Sequence, residues 1–286
     1  MNKQQIVLVA GGLAVLLGLY FWGPTVDPAK KNAATASTPS AGSNGFSIDS
    51  FKTMIYTQLN STRKNYVETL DKQSKENEGK EANHNILHQL SGFWKDSADV
   101  PPLHYFYEAK LAELDNTEKS LTFAAHSILR YLPFEQNQPV QQWLAGTGKQ
   151  LFDRAFSINA TNDSTIVGIG GCIMYGAPTG ENGNPMEGIM KVREVAERDS
   201  TFLFAQYMLG VGGMISKQYD RAASRFEKVA QAQPENLEIQ FKLAEAFELA
   251  EMPAKAIVCY QNIYDKVANE ELRMELMKRI TALKAK

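Results

Sequence analysis

From Ile48 onward, apolar residues recur at spacings of three and four, and no stretch sustains a two-residue alternation. That period belongs to helices that bury one face on a core. It predicts a first helix from Ile48 to about Lys75, with Phe51, Met54, Ile55, Leu59, Tyr66, Val67 and Leu70 on one pattern. The run SKENEGKEAN then interrupts the pattern with charge and glycine. Further helices are expected near 81–95, 103–114, 117–132, 139–157, 163–176, 184–198, 203–216, 219–232, 237–250, 253–267 and 269–284. Helices of this length joined by short turns lie antiparallel to their neighbours. A long row of them predicts an all-α solenoid of helix pairs over residues 48–286.

The N-terminus is patterned differently. After a short tail, 1–5, residues 6–22 read IVLVAGGLAVLLGLYFW, seventeen uncharged and mostly apolar positions. A helix of that length is roughly 25 Å long, at the short end of what crosses a bilayer. Tyr20 and Trp22 fall where interfacial aromatics belong, and Gly23-Pro24 stops the helix. The segment therefore reads as a transmembrane signal anchor. A cleaved signal peptide is the competing reading, but the apolar run is long for one and no small-x-small site directly follows the aromatics. Residues 23–47, dominated by Pro, Ala, Ser, Thr and Gly, cannot bury a core and read as a flexible linker. Lys3 on one side and Lys30 and Lys31 on the other give little charge bias. The shortness of the tail is what predicts a single-pass protein of the bacterial inner membrane with its C-terminal domain in the periplasm.

A shift of 34 residues superimposes Leu209 on Leu243, Gly210 on Ala244, Ala222 on Ala256, Phe226 on Tyr260 and Val229 on Ile263. Small residues at two fixed places and an aromatic near the end of each unit let paired helices approach closely and fill the gap to the next pair. In this pattern the sequence resembles the tetratricopeptide repeat (TPR) family. The clearest repeats are 203–236 and 237–270, with degenerate ones over about 103–202. Upstream, Ile169, Gly170 and Ile173 match a first helix, and Gly188, Val192 and Val195 a second. Phe152 and Ala155 take second-helix positions, and 102–132 reads as another pair. The tryptophan frequent at position four is replaced by Gln206 and Gln240. The resemblance implies a right-handed α-solenoid of TPR-like pairs. The last helix would close it, with Leu272, Leu276, Ile280 and Leu283 inward and Arg273, Lys278, Arg279 and Lys284 outward.

Composition removes some functions. With 30 basic and 32 acidic residues the net charge is −2, and no basic stripe offers a nucleic-acid footprint. Cys172 and Cys259 stand in apolar surroundings with no metal-ligand spacing, and read as small buried hydrophobes. His84 and His88, with Glu81 one turn earlier, share a helix face, but no HExxH motif or distant ligand accompanies them. The glycine runs at 168–171 and 210–213 lie inside helical pattern, without the Gly-Lys-Ser/Thr of a phosphate loop, and read as close-packing positions. No nucleophile, base and orienting group can be assembled. The chain is expected to be no enzyme and to carry no metal or cofactor. A metal-dependent enzyme using the two histidines is the least favoured alternative.

The resemblance also implies where a partner binds. In TPR proteins, positions 2, 5, 9 and 12 of each first helix face a concave groove. Here these are Phe204, Tyr207, Val211 and Met214, then Glu238, Phe241, Glu245 and Glu248, with Val167, Gly171 and Met174 upstream. Repeats that clamp a C-terminal carboxylate carry Lys and Asn at positions five and nine, where this chain has Tyr207 and Val211. The expected groove is thus an apolar patch with an acidic rim, suited to a segment with apolar anchors and Lys or Arg. The layout resembles that of bacterial membrane-anchored TPR proteins, which implies a scaffold for protein–protein interaction in the cell envelope. A structural protein that homo-oligomerises through its helices, those of 48–95 among them, is the alternative.

Overall fold

The computed structural model describes residues 46–77, 79–177 and 184–285. The expected anchor and all but the last two residues of the linker lie outside the described residues. Among those described, no helix is long and apolar enough to cross a membrane. The described chain is built from α-helices: α1 Ile48–Gln58, α2 Ser61–Glu76, α3 Lys80–Gly92, α4 Pro101–Asp115, α5 Glu118–Tyr131, α6 Gln138–Ile158 and α7 Asp163–Gly176 come first. They are followed by α8 Met186–Arg198, α9 Leu203–Ile215, α10 Tyr219–Ala232, α11 Leu237–Leu249, α12 Pro253–Lys266 and α13 Glu270–Lys284. A π-helical turn, Phe93–Ser97, extends α3, and a 3₁₀ turn, Leu132–Phe134, extends α5.

Local chemistry sets the boundaries. Side chains of Ser47, Asn60, Thr117, Asn137, Asn162, Asn236 and Asn269 each accept a hydrogen bond from a backbone N–H in the first turn they precede. Asn60 is the reason the first segment is two helices and not the single one expected from Ile48 to Lys75. Its side chain accepts from Arg63 N at 2.9 Å and starts α2, while Leu59 is extended. Phe46, expected to belong to the linker, already packs against the folded domain. Its ring centroid lies 5.7 Å from that of Phe51 and 5.5 Å from that of Trp143.

The 34-residue repeat is visible in the turns. Lys217 and Glu251 have φ of 59° and 57° and take the same place between first and second helices. In each turn a backbone N–H reaches back five residues, Gln218 to Gly213 O at 2.7 Å and Met252 to Phe247 O at 2.9 Å. These are matching left-handed helix caps. The pairs are α5/α6, α7/α8, α9/α10 and α11/α12, stacked in chain order with α13 closing the row. The fold is TPR-like. Residues 102–132, read from sequence as one pair, instead hold α4 and the first helix of the next pair.

Close approach depends on missing side chains. A Cβ on Gly188 would lie 2.4 Å from Gly170 O, and one on Gly170 would lie 2.7 Å from Gly188 O, so α7 and α8 touch through backbone. A Cβ on Gly210 would meet the Phe226 ring at 2.5 Å, and one on Gly168 the Phe152 ring at 2.3 Å. The glycine runs are packing positions, as their helical context predicts. At position four, Gln206 is buried between hydrogen bonds, donating to Ser200 O at 3.0 Å and accepting from Arg225 at 2.7 Å. Cys172 and Cys259 are buried and free.

The closing helix buries Leu276, Ile280 and Leu283, but Leu272 is 37% exposed and is not one of its inward residues. Arg279, expected outward, lies over the rings of Phe241 and Tyr260 and donates to Tyr260 OH at 3.0 Å. Arg273 similarly covers the ring of Tyr264. The long stems of these arginines shield apolar surface while their guanidinium groups find π faces.

The main core runs from α4 to α13, and a second, smaller one surrounds Trp94 within α1–α4. Beside this second core lies a buried polar cluster. Lys52 is ion-paired with Asp71, and Tyr56 OH and Tyr107 OH both donate to the same carboxylate. The rings of Tyr56, Phe106 and Tyr107 surround the ammonium at 5.2–5.7 Å. Burial pushes the Asp71 carboxyl up, but hydrogen bonds from Lys52 and Tyr107 and the Lys52 charge hold it below its ordinary value. Burial lowers the Lys52 ammonium against the opposing pull of Asp71.

Two glycines should respond to alanine with opposite signs. Gly146→Ala in α6 meets nothing within 4 Å and should stabilise by roughly 0.5–1 kcal/mol through helix propensity. Gly188→Ala must push α7 and α8 apart and should destabilise by about 2–3 kcal/mol. Urea titration of the two variants checks the contrast. Asp71→Asn should cost about 3 kcal/mol, because it leaves Lys52 buried without its counter-charge. The Asp71 carboxyl is depressed on folding, so its contribution is complete above its unfolded value and disappears as pH falls through the folded one. Denaturation curves between pH 7 and pH 2 should show that acid loss in the parent and a smaller one in Asp71→Asn.

Candidate binding groove

The first helices of the four pairs, α5, α7, α9 and α11, line a cavity of about 630 Å³. Its floor is apolar. Leu129 of α5 and Met208 of α9 meet across α7 at Gly171, where a Cβ would lie 2.8 Å from Met208 and 3.0 Å from Leu129. Its walls carry Phe204 and Tyr207 of α9, Tyr175 of α7 and Ile239 of α11. Phe123 of α5 and Phe134, just after that helix, stand at the mouth and are 68% and 70% exposed. Among the described large apolar side chains none is more exposed.

One polar pair lies within the lining. His126 Nε2 and Ser164 Oγ are 2.9 Å apart, and the imidazole sits edge-on to Phe152 and Phe204, with centroids at 4.8 and 5.3 Å. Burial first, and the charge of Arg130 second, lower the His126 pKa, so the neutral ring is favoured. Among the described residues no carboxylate bonds its second nitrogen. A serine and histidine with no orienting acid form a hydrogen-bonding station, and lack the third member of a nucleophilic set. Tyr207 has its phenol raised above the ordinary value by burial and by the Glu238 carboxylate beside it.

The charged lining is Lys119 and Arg130 from α5, with Glu238 and Lys242 from α11. This overturns the expected acidic rim. Of the eight residues predicted for the groove, Phe204, Tyr207 and Glu238 reach the cavity wall. Val211 is buried in the core at 5% exposure, and Met214 packs against the core away from the cavity. Phe241 and Glu248 are taken up by the closing helix. Arg279 lies 5.5 Å from the Phe241 ring centroid and 3.9 Å from Glu248, which also accepts from Tyr260 OH at 2.9 Å. Glu245 is half-buried on α11 and does not line the cavity. Val167 and Met174 are buried, and Gly171 shapes the floor without lining it.

The α5 residues escaped the sequence reading. No consensus position identifies α5 as a first helix or marks its groove face. The available signal was Phe123 and Phe134 outside the apolar stripe that Leu121, Ala125, Ile128 and Leu132 bury. The other candidate ligands are dispersed. His84 lies 3.6 Å from Asp115, His88 is exposed, and His104 Nδ1 lies 2.9 Å from Ser91 Oγ. Among the described residues no group of three or more His, Cys, Asp or Glu is placed to hold a metal ion.

No family model matches the sequence, and no curated protein matches it. Solved structures similar to this chain include three helical-repeat proteins. YrrB, a TPR protein with an unusual peptide-binding site, shares 15% identity over 74% of this chain and 99% of its own, with a TM-score of 0.40. TTC0263, a thermophilic TPR protein in Thermus thermophilus, shares 13% over 62% and 94%, with a TM-score of 0.40. MamA shares 13% over 64% and 91%, with a TM-score of 0.38. The pairing of helices described above stands on this chain's own packing.

The buried imidazole makes the groove sensitive to acid. A His126 pKa below the unfolded value of about 6.5 means that the unfolded chain binds more protons there. Stability therefore rises with pH through that window and is lost below it. NMR titration should place the His126 midpoint below the unfolded-chain value of about 6.5. Arg130→Ala should move it upward by removing the neighbouring charge, while leaving the burial contribution in place.

Proposed function

We propose that this chain is a membrane-anchored, non-catalytic scaffold whose helical repeats bind a segment of another cell-envelope protein in the cavity between α5, α7, α9 and α11. The observation that carries this reading is the mouth of that cavity. Two phenylalanines are held largely in water there, above an apolar floor built from three successive first helices. Soluble domains seldom leave contiguous apolar surface open unless something covers it. A cleft with an apolar floor and a few convergent polar groups is the ordinary form of a recognition site.

The anchoring half of the proposal rests on sequence. Residues 6–22 supply an uncharged apolar run, and the Pro/Ala/Ser-rich residues that follow supply a tether to the folded domain. The periplasmic position of the domain is part of the same proposal. The non-catalytic half of the proposal rests on the sequence, in which no nucleophile, base and orienting group can be assembled.

A photoreactive phenylalanine analogue placed at Phe123 of the full-length protein tests the binding half in living cells. The expected result is a discrete protein adduct that is absent from the same analogue at Val258, an exposed position on α12. Adducts identical at both positions, or none at Phe123, would count against the groove. For the anchor, the protein should stay with membranes through alkaline extraction, and protease added to spheroplasts should digest the helical domain. A domain protected from that protease would refute the periplasmic assignment.

A further inference from the structure

We infer that the groove selects a protein segment that is acidic around an aromatic or aliphatic anchor, the opposite charge to that expected from the repeat positions. The inference rests on the binding reading proposed for this cavity and names the chemistry of its occupant. Three cations line the cavity, Lys119 and Arg130 on α5 and Lys242 on α11, against the one carboxylate of Glu238. Among the described residues none of the three has a carboxylate within ion-pair distance, whereas Arg279, at the covered end of α11, has Glu248 and Glu275.

Geometry separates charge from apolar surface in a way that fits such a segment. Lys119 and Arg130 lie three turns apart on α5, and Lys242 stands on the helix at the other side of the cavity. Between them lie the exposed Phe123 ring and the floor of Leu129 and Met208. An aromatic or aliphatic side chain seated there would leave its flanking residues near cations on both walls. Carboxylates on those residues would make charge-assisted bonds in a partly desolvated site, where they are stronger than in water. Lysine or arginine in the same places would meet uncompensated like charge, which discriminates between partners more than it adds affinity. Ser164 adds a hydroxyl to the lining beside His126.

The test is selection from a random twelve-residue peptide display library on the full-length protein, run in parallel on the double variant Arg130→Glu, Lys242→Glu. Enriched peptides should carry net negative charge around at least one aromatic or large aliphatic residue. Their affinity for the parent should fall at least about tenfold between 50 and 300 mM salt, as screening shortens the reach of charge. The double variant should lose these peptides by at least about tenfold and enrich basic ones. Neutral or basic peptides enriched on the parent, an unchanged charge preference in the double variant, or no enrichment at all would overturn the inference.

Binding to Tyr207→Ala and Phe123→Ser separates this failure from failure of the groove itself. Basic peptides that are lost in both variants sink only the charge assignment. Peptides of any charge that both variants still bind normally place recognition elsewhere and sink both. Vesicles of phosphatidylglycerol provide the other source of anionic surface. Vesicle binding that the double variant abolishes, without acidic peptides being selected, overturns the inference in favour of a lipid.

Discussion

The contact between α7 and α8 through Gly170 and Gly188 sets how tightly the repeat row can close. Each glycine costs about 1 kcal/mol of helix propensity relative to alanine, yet a Cβ at either position would strike the other helix's backbone carbonyl. The lost propensity is offset by dense packing around the contact, where Val192, Val195 and Met174 are buried. The same economy of side chains operates between pairs. Gly171 leaves α7 narrow where Leu129 and Met208 meet, and that meeting is the floor of the groove. Packing and function are therefore linked at one residue. A larger side chain at Gly171 would fill the gap across which α5 and α9 form the groove floor.

Much of this was legible in the chain because it is periodic. The helices, the 34-residue register and the small residues all produce regular patterns that can be read without coordinates. The turns at Lys217 and Glu251 show how closely the last two pairs follow one plan, even though neither carries the glycine that favours a left-handed cap. What failed was the assumption that every first helix opens to solvent in the same way. The positions occupied by Phe241 and Glu248 do lie on a first helix, but the closing helix lays Arg279 over them. The groove consequently shifts toward α5, a helix that no repeat consensus marks. Its acidic rim is lost with the shift, and Lys119 and Arg130 enter the lining.

The buried polar cluster of the N-terminal helices was illegible for a different reason. Lys52 and Asp71 are 19 residues apart and belong to helices that the sequence reading ran together as one. Within one continuous helix they could not meet. The break at Leu59 and Asn60 folds α2 back on α1, and only then do the two charges and the tyrosines Tyr56 and Tyr107 converge. A missed helix start thus concealed a tertiary interaction.

A row of repeats exposes an apolar face at each end unless something ends it, and this chain ends the two sides by unlike means. At the C-terminal side one helix packs on the last pair, with Leu276, Ile280 and Leu283 buried against it and two arginines over neighbouring rings. At the N-terminal side the closure is a small module with its own core. Its α4 contributes Ala109 and Ala112 to the main core, and Leu103, Tyr107 and Leu111 to the core around Trp94. Buried on these two faces, α4 leaves Lys110 and Glu113 exposed to solvent. It joins this module, with its buried Lys52–Asp71 ion pair, to the first helix of the groove, separated only by the Asn116 turn and the Thr117 capping box. The wall bearing Phe123 and Arg130 is thus packed on the main core through Leu121, Ala125 and Ile128, and α4 ties it to the second core. That leaves its outward face free to differ from the repeat pattern without loss of the fold.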